Sequence, residues 1–287
     1  MIEIKDLCKT FSRKGRDGKT VQKTAVDHLN LSIAQGEIFG LLGPNGAGKT
    51  TTVRMLTMLA APTSGTILYE GKNILGHEQE IKRMIGVVPQ HINFDLDLTV
   101  WENMELHGRL QHMPKQERRE RIEELLQYVE LEQRRNDTIR SLSGGMKRRL
   151  LIVRALMHRP KILFLDEPTV ALDPQVRRRI WTMIHHLAKD GVTVVLTTHY
   201  IEEAQSLCDR VAILNQGKLI QLDTPEALCR ELGSFVVEWE GETEQEYRFF
   251  DSRAEASTFA ASLQSSTIIR KSNLEDVFVE LTGRTMG

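Results

Sequence analysis

Ile38-Phe39-Gly40-Leu41-Leu42, then Gly43-Pro44-Asn45-Gly46-Ala47-Gly48-Lys49-Thr50, then Thr51-Thr52-Val53-Arg54-Met55-Leu56 is the stretch on which the reading of this chain turns. Its first five residues suit a buried strand, and the spacing after Lys49 predicts a helix to about Leu59. The eight residues between match G-x-x-x-x-G-K-[ST] in full. A loop of this kind wraps an anion with its backbone N–H groups, and the helix that follows adds the positive end of its dipole. Lys49 offers a mobile charge to the outer phosphates and Thr50 a hydroxyl to Mg²⁺. Strand, loop and helix in this order predict a phosphate-binding unit within an α/β fold.

Downstream, Ile162-Leu163-Phe164-Leu165 ends in Asp166-Glu167, and a second apolar run covers 192–196. Both suit strands buried on two faces of a parallel sheet. The helix between them starts at Asp173-Pro174 and stops near Gly191, with Val176, Ile180, Met183 and Leu187 as its apolar stripe. Asp166 can hold Mg²⁺ through water, and Glu167 can orient and deprotonate an attacking water. On its own the acid pair fits a cap equally well. Paired with the phosphate loop it points to nucleotide chemistry.

Between these runs, 84–90 reads as a strand stopped by Pro89, and 99–157 reads as mostly helical. Thr99 and Glu102 have capping-box spacing, and Ile122, Leu125, Leu126 and Val129 mark one buried face. Leu142-Ser143-Gly144-Gly145-Met146 opens a helix to about Met157, with Met146, Leu150, Val153 and Met157 as its stripe. Ser143 reads as an N-cap. The adjacent glycine pair, costly in a first helical turn, points to a second anion site. The Arg/Glu run of 115–130, Lys147-Arg148-Arg149 and Arg177-Arg178-Arg179 read as solvated faces.

At the N-terminus, Ile2 and Ile4, then Leu29, Leu31 and Ile33, alternate with polar partners, and Ser12–Thr24 reads as an exposed hairpin loop. Val211–Leu214 and Leu219–Leu222 flank Asn215-Gln216-Gly217 as a hairpin. Composition shifts after Leu232. Alternating aromatics (Phe235, Trp239, Tyr247, Phe249), a helix over 254–264, a strand near Thr267–Arg270 and a helix over 274–282 make a small appendage. The expected division is 1–232 and 233–287.

With 40% hydrophobic and 27% charged residues in 287, the composition excludes a disordered chain. A net charge of −1 gives no support to a nucleic-acid binder. No run approaches the roughly 18 apolar residues that cross a bilayer, and Met1–Lys9 is no secretory signal. The cysteines (Cys8, Cys208, Cys229) and the histidines outside the motifs show no metal-like spacing.

Several motifs stand in a single order: the phosphate loop (43–50), Gln90 after a strand, Leu-Ser-Gly-Gly-Met (142–146), Leu-Asp-Glu-Pro-Thr (165–169), Ala-Leu-Asp (171–173) and Thr-Thr-His199. On these the chain resembles the ATP-binding subunit of ABC transporters over about 1–232. The resemblance implies an ABC-type ATPase with an N-terminal antiparallel β subdomain, a helical subdomain at about 91–157 and a small α+β C-terminal accessory region. It implies ATP as substrate, Mg²⁺ as cofactor, and two copies paired head to tail. Phe11 would stack on adenine. Gly43, Asn45, Gly46, Ala47, Gly48, Lys49, Thr50 and Thr51 would hold the phosphates. Ser143, Gly144 and Gly145 of the second copy would close over them, with Asp173 linking the two sites. Thr50, Gln90 and Asp166 would hold the metal, and Glu167, His199, Lys49 and Gln90 would act in cleavage. Met146 and Ala171 depart from the commonest Gln and Gly, and neither position supplies an essential side chain.

The same resemblance implies separate integral membrane permease subunits, a place on the cytoplasmic face of the membrane, and no nucleic-acid partner. The permease would dock near Gln90–Gln111, where Trp101, Phe94 and Met104 are either its anchors or packing within the helical block. Met146-Lys147-Arg148-Arg149-Leu150, the segment from His158 to Val170, Leu172-Asp173-Pro174-Gln175 and the ending Leu274–Gly283 look like the drug-, lipid- and sodium-exporter branch typified by daunorubicin resistance. Export is the expectation, against an importer ATPase or a non-transport ABC ATPase.

Overall fold

Alternation at the N-terminus produces a long antiparallel ladder in the computed structural model, which describes residues 1–14, 20–241, 245–263 and 265–283. Strand β1 (Ile2–Lys14) pairs with β2 (Thr20–Ile33) in register Ile2↔Ile33 through Lys14↔Thr20, with irregularities between Ile4 and Thr10. The ladder corrects the loop expected at Ser12–Thr24. Ser12–Lys14 and Thr20–Thr24 are strand, because the two segments satisfy their backbone groups by pairing. Residues 15–19 lie outside the described residues.

Strand β3 (Ile38–Leu42) enters the phosphate loop, and α1 (Lys49–Leu56) leaves it, ending three residues short of the expected Leu59. Then come β4 (Ser64–Tyr69), β5 (Lys72–Asn73), α2 (Glu78–Met84) and β6 (Ile85–Val88). The helical block holds α3 (Val100–Leu110), α4 (Lys115–Tyr128) and α5 (Gly144–Ala155), and the Thr99–Glu102 capping box opens α3. After it run β7 (Ile162–Asp166), α6 (Pro174–Lys189), β8 (Thr193–Thr198), α7 (Ile201–Leu207), β9 (Arg210–Asn215), β10 (Lys218–Asp223) and α8 (Pro225–Leu232). The C-terminal part holds β11 (Phe235–Glu240), β12 (Gln245–Phe250), α9 (Arg253–Ser262), β13 (Thr267–Lys271) and α10 (Leu274–Thr282).

Three sheets result, ordered β2-β1-β4-β5, β10-β9-β3-β8-β7-β6 and β12-β11-β13. In the central one β9, β3, β8, β7 and β6 run parallel and β10 closes one edge antiparallel. The five parallel strands are apolar on both faces, as the unbroken runs predict. Side-chain alternation then feeds two cores. Ile38, Leu42, Leu163, Leu165, Val194 and Leu196 join the helical block, while Phe39, Leu41, Ile162, Phe164 and Val195 join α1 and the antiparallel ladder.

Packing decides one open alternative and corrects two further expectations. Phe94 and Met104 are core residues at 8% and 0% exposure and offer no partner anchor, while Trp101 is half-buried against the same core. Arg118, expected on a solvated face, is buried and donates to Glu105 and to the carbonyl of Met113. Arg148, expected likewise, is buried beneath the strand ends. The C-terminal sheet packs its Trp239 and Phe250 rings on Phe259 of α9. Helix α10 instead sinks Leu274, Val277 and Phe278 into the main core beside Leu207 and Leu228.

Candidate active site

Parallel strands deliver their C-terminal ends to one edge of a sheet, so residues far apart in sequence meet there. Strand β3 ends in the phosphate loop, β6 leads to Gln90, β7 ends in Asp166 and hands on to Glu167, and β8 is followed by His199. In the loop Gly48 sits at φ +107°, and a side chain there would strike the Ala25 carbonyl at 2.5 Å. Only glycine satisfies both demands. Lys49 is 4% exposed and its Nζ donates to the carbonyls of Gly43 (2.6 Å) and Pro44 (3.2 Å). Burial pushes its ammonium below the usual value, against the pull of Glu167 and Asp166.

Asp166 Oδ1 accepts from Thr50 Oγ1 at 3.2 Å and from Thr197 Oγ1 at 2.6 Å. Glu167 is buried, with φ +48°. A non-glycine residue in that region carries a cost of about 1–2 kcal/mol. The Glu167 N–H donates to both Thr197 oxygens at 3.1 Å. Its Oε2 accepts from Gln90 Nε2 at 2.8 Å, and its Oε1 lies 3.1 Å from His199 Nδ1. Gln90, Glu167 and His199 thus form one hydrogen-bonded chain beside the Thr50–Asp166 pair.

Arg148 is the residue that sequence reasoning missed. Its guanidinium donates to the carbonyls of Pro168 (2.7 Å), Pro89 (2.8 Å), Gln90 (3.1 Å), Asp166 (3.0 Å) and Glu167 (2.8 Å). It ties the backbone of both strand ends into one piece. Burial lowers its pKa to about 10, opposed by Glu203, Asp166 and Glu167. An arginine run on an exposed-looking helix carries no mark of this, since the carbonyls it serves become neighbours only in the fold. Glu203 was missed as well. Fully buried, it accepts from Thr169 Oγ1 (2.6 Å) and Trp181 Nε1 (3.2 Å), fixing the segment after Glu167 to α6.

The remaining expected site residues stand apart. Ser143 caps α5, accepting from Met146 N at 3.3 Å. Gly144 faces open space, whereas a Cβ at Gly145 would come within 2.7 Å of Val176, so helix packing alone demands that glycine. Asp173 caps α6 by accepting from Val176 N at 3.0 Å. Phe11 is 47% exposed on β1, with Lys9 Nζ 5.1 Å from its ring centre. Among the described residues no hydrogen bond joins Ser143, Gly144, Gly145 or Asp173 to the loop 43–50. Asn45 and Gly46 are exposed at the loop's tip, Ala47 is buried and Thr51 half-buried.

The family model for the ABC transporter matches residues 26–170. A protein named Nod factor export ATP-binding protein I, from Ralstonia nicotianae, is 41% identical over 292 residues, with 92% of this chain and 91% of that one covered. A protein of the same name from Rhizobium sp. (strain N33) is 39% identical, with 92% and 94% covered. Among solved structures, the ATP-binding cassette MJ0796, a dimer in a post-hydrolysis state with ADP and Pi, superposes with a TM-score of 0.70 at 32% identity. That match covers 78% of this chain and 98% of the other.

Proposed function

Because the chain belongs to the ATP-binding subunits of ABC transporters and hydrolyses ATP for transport, we propose that it powers export and that Glu167 is its catalytic base. The observation that carries the base assignment is the Gln90–Glu167–His199 chain, which aims one carboxylate with a donor on each oxygen. A base held this way needs no rearrangement before it takes a proton from water. Thr197 and Arg148 hold the strained backbone of Glu167 from both sides.

The phosphates of ATP would lie on the N–H groups of 43–51, with Lys49 exchanging its carbonyl partners for the outer phosphates. Phe11, exposed on β1 and paired with Lys23 of β2, the strand that meets the loop through Ala25, would stack on adenine. Thr50 and Asp166 fit Mg²⁺, being hard oxygen donors already in hydrogen-bond contact, with Gln90 beside them. Bound there, Mg²⁺ would supply positive charge that neutralises the phosphates. His199 Nδ1 faces Glu167, which leaves its Nε2 for the γ-phosphate.

Among the described residues no hydrogen bond joins Ser143–Gly145 to the loop of their own chain, which supports a cradle completed by a second copy arranged head to tail. The dimeric state of the MJ0796 cassette supports the same reading. There ATP would hold the two copies shut through its γ-phosphate, with Asp173 at the seam, and cleavage would release them. Residues 1–232 would form this ATPase body and 233–287 an accessory region. Among the described residues no helix is long and apolar enough to cross a membrane, so movement of cargo would fall to separate permease subunits, with this chain on their cytoplasmic face. The names of the relatives support export. The permease would sit on the groove beside Gln90–Gln111, where Ile92, Leu106 and Leu110 are exposed in place of Phe94 and Met104.

Glu167→Gln tests the centre of this reading. ATP binding is expected to persist, turnover to fall by about 100-fold or more, and an ATP-bound dimer to accumulate on gel filtration. Normal turnover in this variant would refute the base assignment.

A further inference from the structure

A second group of chemistry-bearing side chains lies away from the ATP site, where β1 and β2 lose their register. A Cys8 sulfur, an Asp27 carboxylate oxygen and a His28 ring nitrogen all lie within 4.8 Å of one another. Sequence spacing hid this, because Cys8 is on one strand and Asp27 and His28 on the other. Adjacent residues of a regular strand point to opposite faces. Here the pairing shifts between Ile4 and Leu7 and again between Leu7 and Lys9, and His28 has φ +49°. The irregularity turns both Asp27 and His28 toward Cys8.

The distances around the His28 ring lie within a few tenths of an ångström of those of a metal ligand. Its Nδ1 lies 2.5 Å from Asp6 Oδ1, a hydrogen bond. Its Nε2 lies 3.8 Å from Asp27 Oδ1, beyond hydrogen-bond reach. Two N or O ligands of a tetrahedral zinc, each about 2.0–2.2 Å from the ion, stand about 3.3–3.6 Å apart. A ligating histidine whose other nitrogen is held by a carboxylate is the usual arrangement at such centres. Cys8 Sγ accepts the backbone N–H of His28 at 3.3 Å, which fixes the sulfur beside the ring. Lys218 Nζ lies 3.4 Å from Asp27 Oδ2 and leaves Oδ1 free to face the imidazole.

We propose that Cys8, Asp27 and His28 bind a Zn²⁺ ion, with Asp6 as the positioning residue for the His28 ring. One sulfur, one nitrogen and one oxygen suit zinc, whereas Mg²⁺ calls for oxygens alone. Cys8 is half-buried and the His28 side chain is 67% exposed, so the ion enters from solvent and keeps a fourth position for water. Cys8 lies three residues before Phe11 on the same strand, so the ion pins the bulge that sets Lys9–Phe11.

The test uses the full chain, stripped by chelator and dialysed against zinc sulfate with excess Mg²⁺, and counts bound zinc. One equivalent is expected, and cobalt in its place should show a thiolate charge-transfer band. Cys8→Ser should abolish that band, Cys8→Ser and His28→Gln should each weaken zinc binding at least about tenfold, and Asp6→Asn should weaken it about 10–100-fold with the band retained. Should a variant fail to fold by circular dichroism, alkylation of the folded wild type replaces it. Cys208 and Cys229 are buried, so the accessible thiol is Cys8, and zinc should slow its labelling. Absence of zinc binding, binding that survives both Cys8→Ser and His28→Gln, or Cys8 labelling indifferent to zinc overturns the proposal.

Discussion

Arg148 makes the largest difference between what a residue looks like in sequence and what it does. Five backbone carbonyls around the strand ends take their hydrogen bonds from this one side chain. Removing it strands buried acceptors at about 1–3 kcal/mol each, in part relieved by water. Arg148→Ala is therefore expected to lose about 3 kcal/mol or more in urea unfolding, and Arg148→Lys to recover less than half, because an ammonium lacks the planar fork. A loss within about 0.5 kcal/mol, the range of ordinary surface substitutions, would contradict this account. Lys49, Thr50, Asp166 and Glu167 were candidates in the sequence because each belongs to a short motif with its own chemistry, and His199 was a candidate through the family resemblance alone. Arg148 and Glu203 were not, since their partners are brought in by other elements.

The element with the clearest pH signature is α3. His107 on this helix has a buried Nε2 with no partner among the described residues, and it faces His158, whose own Nε2 lies 2.9 Å from the Ile85 carbonyl. Burial, with the charges of Arg154 and His158, lowers the His107 pKa to about 4. The sign follows directly. Between about pH 4 and the unfolded value near 6.5, the unfolded chain binds a proton that the folded chain refuses. Stability contributed by neutral His107 is thus complete above pH 6.5 and lost as pH falls toward 4, by up to about 3 kcal/mol. His107→Gln should flatten the dependence of urea midpoint on pH across that window. Identical slopes for the variant and wild type would remove His107 as the cause. The helix itself was readable from its capping box. The histidine's burial depends on Arg154 and His158, which belong to the stretch around α5's end.

For the whole molecule, the groove between the core and the helical block is where we propose that ATP cleavage is passed to a membrane partner. It is lined by Lys82, Arg83, His107, Leu110 and His112, and Leu110 is 67% exposed. Leu110→Glu should therefore leave folding and basal ATPase unchanged while abolishing co-purification with the permease in detergent and any permease-stimulated turnover. Retained co-purification would place docking elsewhere. The C-terminal part is joined to this body through α10, whose Leu274, Val277 and Phe278 share its core. The sequence by itself determined the P-loop NTPase core, the order of strands and helices and the motifs from which the catalytic residues are proposed, because hydrophobic period and motif spacing are local properties. Only the tertiary structure decided which arginines are buried, which of Phe94, Trp101 and Met104 pack inside, and that Cys8 meets Asp27 and His28. Those outcomes depend on strand register and on which faces of distant elements meet, and neither is written in the spacing of any single segment.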